Sequence, residues 1–476
     1  MNQRRAHRGR GRPRRSRAGL GLASVVVVLV LVVVSVAAAA AWSTGRLNHL
    51  VCGGPCGPEA VADPLALTRS DGLASTAQLE PAAGSVDADA VREAVSGALE
   101  DDDLGSRVGL SVMDPAAGEE VLRTGPATLV PASTTKVLTA AAALETIDPQ
   151  QRFSTRVERE GQDVVLVGGG DPYLVTRRDD DSGYAARADL RTLAESTAEA
   201  LAEAGVEQVR VGYDDSLFTG PAASSTWEDS YVPGQVVTPI SALWTERGIS
   251  NGVRTSEPAR AAASTFATLL GRQGIDVDDD VDALDAPGTE PIAEAAGPTV
   301  AQAVESLLLS SNNEATEVIA RHVAIARGEE ASFEGGARAV ADALREADVP
   351  LDGLELGDGS GLSRENRIDP TTLATIVSRA ISGDAWPGVL SGLPVGAFSG
   401  SLAERFDGEA SDGAGLVRAK TGTLTGVHSL AGYVTDARGV PLAFAVMVDD
   451  TRDLNALATQ AALDDVAAAL AACTCG

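Results

Sequence analysis

The chain of 476 residues carries 67 acidic and 38 basic side chains, a formal net charge of −29. A chain of this length buries a large core and divides among two or three domains. Its anionic balance excludes a protein that holds nucleic acid on a broad basic surface.

The charge is unevenly spread. Residues 1–19 hold eight arginines and no acid, a basic cytoplasmic tail, and the stretch from Ala18 to Gly45 is uncharged and dense in Val, Leu and Ala. At about 1.5 Å per residue, a helix over 20–45 is long enough to cross a bilayer, and the arginines before it favour a cytoplasmic N-terminus. A retained membrane anchor is the favoured reading. The alternative takes the run from Ala37 to Ala41 as a signal-peptidase site that releases the protein. Residues 46–86, rich in Gly, Ala and Pro, read as an exported linker that holds Cys52 and Cys56. The remaining two of the four cysteines, Cys473 and Cys475, stand at the other end. Four thiols allow three pairings, and a bond between the two ends would tie the termini in an oxidising compartment. Cys-x3-Cys with Cys-x-Cys is poor spacing for zinc.

Residues 87–152 open the first part of the main domain, with a short helix predicted over 87–99 and a strand over 107–113. Pro131-Ala-Ser-Thr-Thr-Lys136 follows, and the Ala-rich run after it is a strong helix former. A three-residue separation places Ser133 and Lys136 on one helical face, where the amine can approach the hydroxyl. Lys136 and Lys420 are the only lysines among the 38 basic residues. A lysine, unlike an arginine, can lose its proton when buried, so two lysines retained in so arginine-rich a chain point to a need for a titratable amine.

From about residue 153 the pattern changes, and 153–295 reads as one or more inserted domains. It contains strands over 163–167 and 208–213, a helix over 188–204 ended by Gly205, a second helix over 258–270 and an acidic exposed stretch over 276–290. Gly168-Gly-Gly-Asp lacks the full glycine pattern and the lysine of a phosphate loop.

Residues 296–476 complete the main domain. Helices are predicted over 299–309, from 313 toward 326, and over 370–381, with a tight glycine-bearing turn over 358–363. Arg418-Ala-Lys-Thr-Gly-Thr-Leu424 and the two apolar runs after it read as an antiparallel meander with Lys420 on its edge strand. Small Thr421 and Gly422 would let a ligand backbone approach that strand. A long Ala-rich helix over 454–472 closes the chain. The four histidines, at 7, 49, 322 and 428, are too scattered to indicate a zinc site or a histidine-based triad, so no metal or other cofactor is expected.

With Ser133-x-x-Lys136, Ser311-x-Asn313 and Lys420-Thr-Gly422 in order, the chain resembles the penicillin-recognising serine enzymes. The register of the middle motif rests on the continuation through Glu317 and Arg321; Ser310-Ser311-Asn312 offers an alternative one residue earlier. The long gap between Lys136 and Ser311 resembles the D-alanyl-D-alanine carboxypeptidase/endopeptidase family of low-molecular-mass penicillin-binding proteins. Gly168-Gly-Gly-Asp-Pro172, Asp215-Ser-Leu-Phe-Thr-Gly220, Asp358-Gly-Ser-Gly-Leu-Ser-Arg364 and Gly400-Ser-Leu-Ala-Glu-Arg405 look like the same family.

The resemblance implies an α/β fold, a penicillin-binding transpeptidase/β-lactamase-like domain with a central antiparallel sheet flanked by helices, plus the insertion. It implies acyl transfer to Ser133, with peptidoglycan peptides as substrates and β-lactams as covalent inhibitors. Lys136 is expected to be neutral at attack and Lys420 charged. Ser311 with Lys420 would relay a proton to the leaving amine, Asn313 would hold the substrate amide, and Thr421 and Thr423 the terminal carboxylate or backbone. The Ser133 N–H and a backbone N–H near Thr423 would bind the oxyanion. The rival readings are a β-lactamase or related serine esterase, and an inactive cell-wall-binding scaffold.

Overall fold

The computed structural model describes residues 86–178, 184–250, 252–383, 385–452 and 454–476. The basic tail, the apolar segment, nearly all of the linker, Cys52 and Cys56 lie outside the described residues. Among the described residues, no helix is long and apolar enough to cross a membrane.

Helix α1 (Ala88–Leu99) begins where the Asp87 carboxylate accepts from the Asp89 and Ala90 amides, satisfying N–H groups that a helix start leaves unpaired. Strands β1 (Val108–Asp114) and β2 (Glu119–Thr124) form an antiparallel hairpin. β2 was not anticipated, because Glu-Glu-Val-Leu-Arg-Thr has no apolar alternation and its burial is partial. Helix α2 (Thr135–Thr146) carries Lys136.

The next strands build a second sheet. These are β3 (Arg152–Glu160), β4 (Asp163–Val167), β5 (Gln208–Asp214), and, after the short β6 (Ile249–Ser250) and β7 (Val253–Arg254) pair, β8 (Asp276–Val277), β9 (Asp282–Ala283) and β10 (Ala293–Thr299). Their order is β10-β3-β4-β5-β8, with β9 also on β5. Helices α3 (Leu190–Glu203) and α4 (Pro258–Arg272) cover it with Leu193, Leu201, Phe266 and Leu270. Gly205 follows α3 at φ 67°, the left-handed stop expected there. The strands of this sheet all come from residues 152–299.

Helix α5 (Val300–Leu309) starts in a capping box between Thr299 and Gln302. Helices α6 (Asn313–Ala326), α7 (Phe333–Glu346), α8 (Pro370–Ser382) and the short α9 (Gly388–Ser391) follow, and the chain ends in β11 (Val417–Leu424), β12 (Val427–Thr435), β13 (Pro441–Val448) and α10 (Ala456–Ala472). α7 also escaped the sequence reading, since its two glycines mask an otherwise regular apolar stripe.

The first sheet runs β11-β12-β13-β1-β2 and is antiparallel throughout. Period-2 alternation splits its strands between two cores. Leu442, Phe444, Val446 and Val448 of β13 join α1 and α10, whereas Ala443, Ala445 and Met447 join α2 and α8. The expected central antiparallel sheet flanked by helices is therefore present. β11 lies at its edge, but the loop before it covers one end: the Gly396 amide donates to Val417 O at 2.9 Å and the Ala419 amide to Pro394 O at 2.9 Å.

The glycine run before Asp171 serves packing. A Cβ on Gly169 would lie 1.9 Å from Ser154 O, and one on Gly170, at φ 72°, 2.3 Å from His322 Nε2. His322 stacks on Phe153 and meets Gly170 O at 3.0 Å, and burial pushes its pKa down to about 4.

Cys473 and Cys475 stand side by side across Thr474, with Cα atoms 5.3 Å apart, one of the three pairings that the four cysteines allow. The chain turns extended directly after α10, which brings the two sulfurs within reach of each other. A backbone hydrogen bond from Asp87 N to Cys475 O, 2.7 Å, joins the start of the described chain to its end.

Candidate active site

Ser133 occupies a 3-10 turn, Ala132–Thr134, immediately before α2. Ala132 takes φ 48°, a left-handed conformation that costs about 1–3 kcal/mol and persists only where its surroundings impose it. Hydroxyls do so here. Thr134 Oγ1 and Ser429 Oγ donate to Pro131 O at 2.7 and 2.6 Å, and Thr135 Oγ1 donates to Ala132 O at 2.8 Å.

One helical turn on, Lys136 is fully buried and all three of its N–H donors have acceptors. Nζ lies 3.0 Å from Ser133 Oγ, 2.7 Å from Asn313 Oδ1 and 2.7 Å from Ser360 O. Burial brings its pKa down to about 8, against the opposing pull of Asp358, Glu317 and Glu314.

Ser311 stands between α5 and α6 in a left-handed conformation, φ 53°. Its Oγ accepts from Lys420 Nζ at 2.8 Å, and Lys420 also donates to Thr421 O at 2.7 Å. The register of the middle motif follows from these contacts. Ser311 meets Lys420 and Asn313 meets Lys136, while Asn312 caps α6 by accepting from Ala315 N and Ser310 bonds back to Ser306 O.

Lys420, also fully buried, is lowered well below the usual lysine range by desolvation and then by the charge of Lys136. The two buried amines therefore disfavour carrying charge at the same time.

On β11, Thr421 Oγ1 lies 2.7 Å from Ser401 Oγ, and Thr423 is exposed. A Cβ on Gly422 would lie 2.1 Å from Ser429 Oγ, 2.6 Å from Pro131 O and 3.1 Å from Ser133 N, so the missing side chain makes room for the turn that holds Ser133.

Sequence reasoning did not assign Ser401, Glu317, Arg321 or Asp358 any part in the site, although all four fall in the quoted segments. Asp358 organises the glycine turn, accepting from the Gly361 and Ser363 amides at 2.9 and 2.7 Å, Trp227 Nε1 at 2.8 Å and Asn366 Nδ2 at 2.8 Å. Glu317, buried on α6 one turn after Asn313, accepts from the Ser360 amide at 2.8 Å. His428 lines β12 opposite Thr423, and burial lowers its pKa. Among the described residues, no group of three or more His, Cys, Asp or Glu side chains could hold a metal ion.

A profile of the D-Ala-D-Ala carboxypeptidase 3 (S13) family matches residues 91–252 and 246–470. A carboxypeptidase of Mycobacterium tuberculosis is 35% identical over 409 residues, which span 82% of this chain and 86% of that one. A D-alanyl-D-alanine carboxypeptidase of an Actinomadura species is 29% identical over 452 residues, 78% of this chain and 83% of that one. Penicillin binding protein 4 of Haemophilus influenzae shares the fold, with a TM-score of 0.66 over 78% of this chain and 97% of that one at 19% identity. Since the matches run from α1 to α10, the chain belongs to the D-Ala-D-Ala carboxypeptidase 3 (S13) family.

Proposed function

We propose that Ser133 carries the acyl group in the reaction of this chain, a serine-type D-Ala-D-Ala carboxypeptidase/endopeptidase of peptidoglycan. The observation that carries the assignment is the fully buried Lys136 amine 3.0 Å from Ser133 Oγ. A hydroxyl needs a base to become a nucleophile, and among the described residues that amine is the titratable group bonded to it.

The substrate sets which of the two amines holds the proton. A terminal carboxylate entering beside Lys420, Thr421 and Thr423 favours a charged Lys420, and that charge favours a neutral Lys136. Lys136 then takes the Ser133 proton as Oγ attacks the D-Ala carbonyl carbon. The Ser133 N–H and a backbone N–H near Thr423 receive the oxyanion. Asn313 holds the substrate amide through its amide nitrogen, since Oδ1 is engaged by Lys136. Ser311 gives its proton to the departing amine and is resupplied by Lys420. The proton held by Lys136 then refills Lys420, which leaves Lys136 neutral to take a proton from the water that attacks the ester and to return it to the departing Ser133 Oγ. A β-lactam forms the corresponding ester with no departing amine.

The leaving amine belongs to free D-Ala in carboxypeptidation and to a second stem peptide in endopeptidation. A cavity of about 710 Å³, lined by Tyr173, Tyr184, Arg247, Leu309, Ser310 and Asn312, flanks the Ser311 turn and offers space for a longer substrate. Residues 153–295 form a separate module that borders this cavity, and residues 20–45 anchor the domain to the membrane on the side where the peptidoglycan lies.

Purified ectodomain incubated with defined monomeric and cross-linked muropeptides is expected to release D-Ala and to resolve cross-links by mass analysis. A folded protein that does neither, and takes up no penicillin mass, would overturn the reading. Gly422→Ala is expected to slow acylation by a chromogenic β-lactam roughly 10²-fold, because a displacement of about 1 Å at the Ser133 turn is felt at this scale. An unchanged acylation rate would show that the turn yields without cost.

A further inference from the structure

Glu317 takes no part in the steps above, yet it lies directly behind Lys136. It is 1% exposed on α6 and sits four residues after Asn313, so the two side chains share one helical face. Asn313 touches the amine directly. Glu317 reaches it through the 358–363 turn: Oε1 accepts from Ser360 N at 2.8 Å and Oε2 from Gly359 N at 3.3 Å. Ser360 O, on the same residue, accepts from Lys136 Nζ at 2.7 Å. Thr139 Oγ1, one turn beyond Lys136 on α2, fixes the neighbouring peptide by donating to Gly359 O at 2.7 Å.

We propose that Glu317 is a positioning residue that holds the Ser360 carbonyl on the Lys136 amine and governs when that amine gives up its proton. This rests on Lys136 being the base of the reaction.

The surrounding charges single out Glu317. Three carboxylates favour the charged form of Lys136: Asp358, Glu317 and Glu314. Glu314 is neutralised by Arg254 at 3.0 Å. Asp358 accepts from two backbone amides, Trp227 and Asn366. Glu317 has two amides and a longer contact with Arg321, 3.7 Å, whose own guanidinium is 1% exposed and lies 4.0 Å from the Phe333 ring centre on α7. Glu334, also on α7, adds negative charge near Arg321. From β11, Lys420 faces Lys136. Burial and the neighbouring Asp358 push Glu317 up to about 7, with Arg321 opposing. Its charge therefore changes in the range where the lysine pair must exchange protons.

A neutral Glu317 weakens the hold on the Lys136 proton. Glu317→Gln keeps the shape and an oxygen for Ser360 N but removes the charge, so the Lys136 amine deprotonates more readily. The experiment uses the full chain and measures kcat/KM for D-Ala release, and acylation by a chromogenic β-lactam, from pH 5 to 10.

For Glu317→Gln, the alkaline limb is expected to move toward lower pH by about one unit, with the maximum falling roughly tenfold as the Ser360 carbonyl loosens. Glu317→Asp retains the charge and is withdrawn by one methylene. It is expected to keep the wild-type pH position at a reduced maximum, and it also serves if the Gln variant does not fold. A Gln profile lowered in height but unmoved in pH, or an Asp profile displaced like that of Gln, would overturn the proposal and leave Glu317 a structural residue. A wild-type profile without limbs attributable to the lysine pair would instead overturn the assignment of Lys136 as base.

Discussion

Ser133→Ala is expected to lose D-Ala release by roughly 10⁴-fold or more, since removing a serine nucleophile disables the steps that pass through it together. The same variant is expected to show no mass increase with penicillin, where the parent chain gains one β-lactam. Substrate binding should survive, because Lys420, Thr421 and Thr423 lie on β11 rather than on the Ser133 turn. The alanine methyl also leaves the backbone of that turn intact, as its anchors are Thr134, Thr135 and Ser429. A persistent penicillin adduct in Ser133→Ala would move the nucleophile elsewhere.

The second large effect is expected at Lys136. Lys136→Arg keeps a positive charge and hydrogen-bond donors but cannot supply a neutral amine near neutral pH, so acylation should fall about as far as in Ser133→Ala. Lys420→Arg should fall by a smaller factor, because Lys420 is required charged in the complex.

The pH dependence follows from the same pair. Acylation needs one proton shared between the two amines: charged Lys420 to meet the carboxylate, neutral Lys136 to accept from Ser133. The kcat/KM profile is therefore expected to be bell-shaped. It rises as the doubly charged pair loses its first proton and falls as the pair loses its second, with Lys136 brought down to about 8. Equal activity of Lys136→Arg and the parent, or a profile still climbing past pH 10, would remove Lys136 from the base role.

The sequence exposed those parts of the site that obey local rules. The Ser133 to Lys136 spacing is a helical period, and the strand bearing Lys420 announces itself by the apolar runs of β12 and β13. The scarcity of lysine marked both amines before any geometry was available. Three features were hidden because they depend on contacts distant in sequence. Gly422 answers to Pro131 and Ser429, Glu317 acts through a turn more than forty positions later, and the lowered pKa of each lysine depends on burial that only folding brings. The nearness of Cys473 to Cys475 was likewise not legible from spacing, since it turns on how the chain leaves α10. β2 and α7 were missed where glutamates and glycines obscured the periodicity.

The loop laid over the start of β11 has a consequence for behaviour in concentrated solution. An unpaired sheet edge invites other chains to extend the sheet, and proteins commonly blunt such edges. Here Pro394 and Gly396 occupy the backbone groups at Val417 and Ala419, so the free edge shrinks to the few residues around Lys420 to Leu424. That length admits a short extended peptide but gives a second copy of the strand little to zip onto. Keeping the edge open for a small guest while denying it to a long one reconciles turnover with resistance to aggregation.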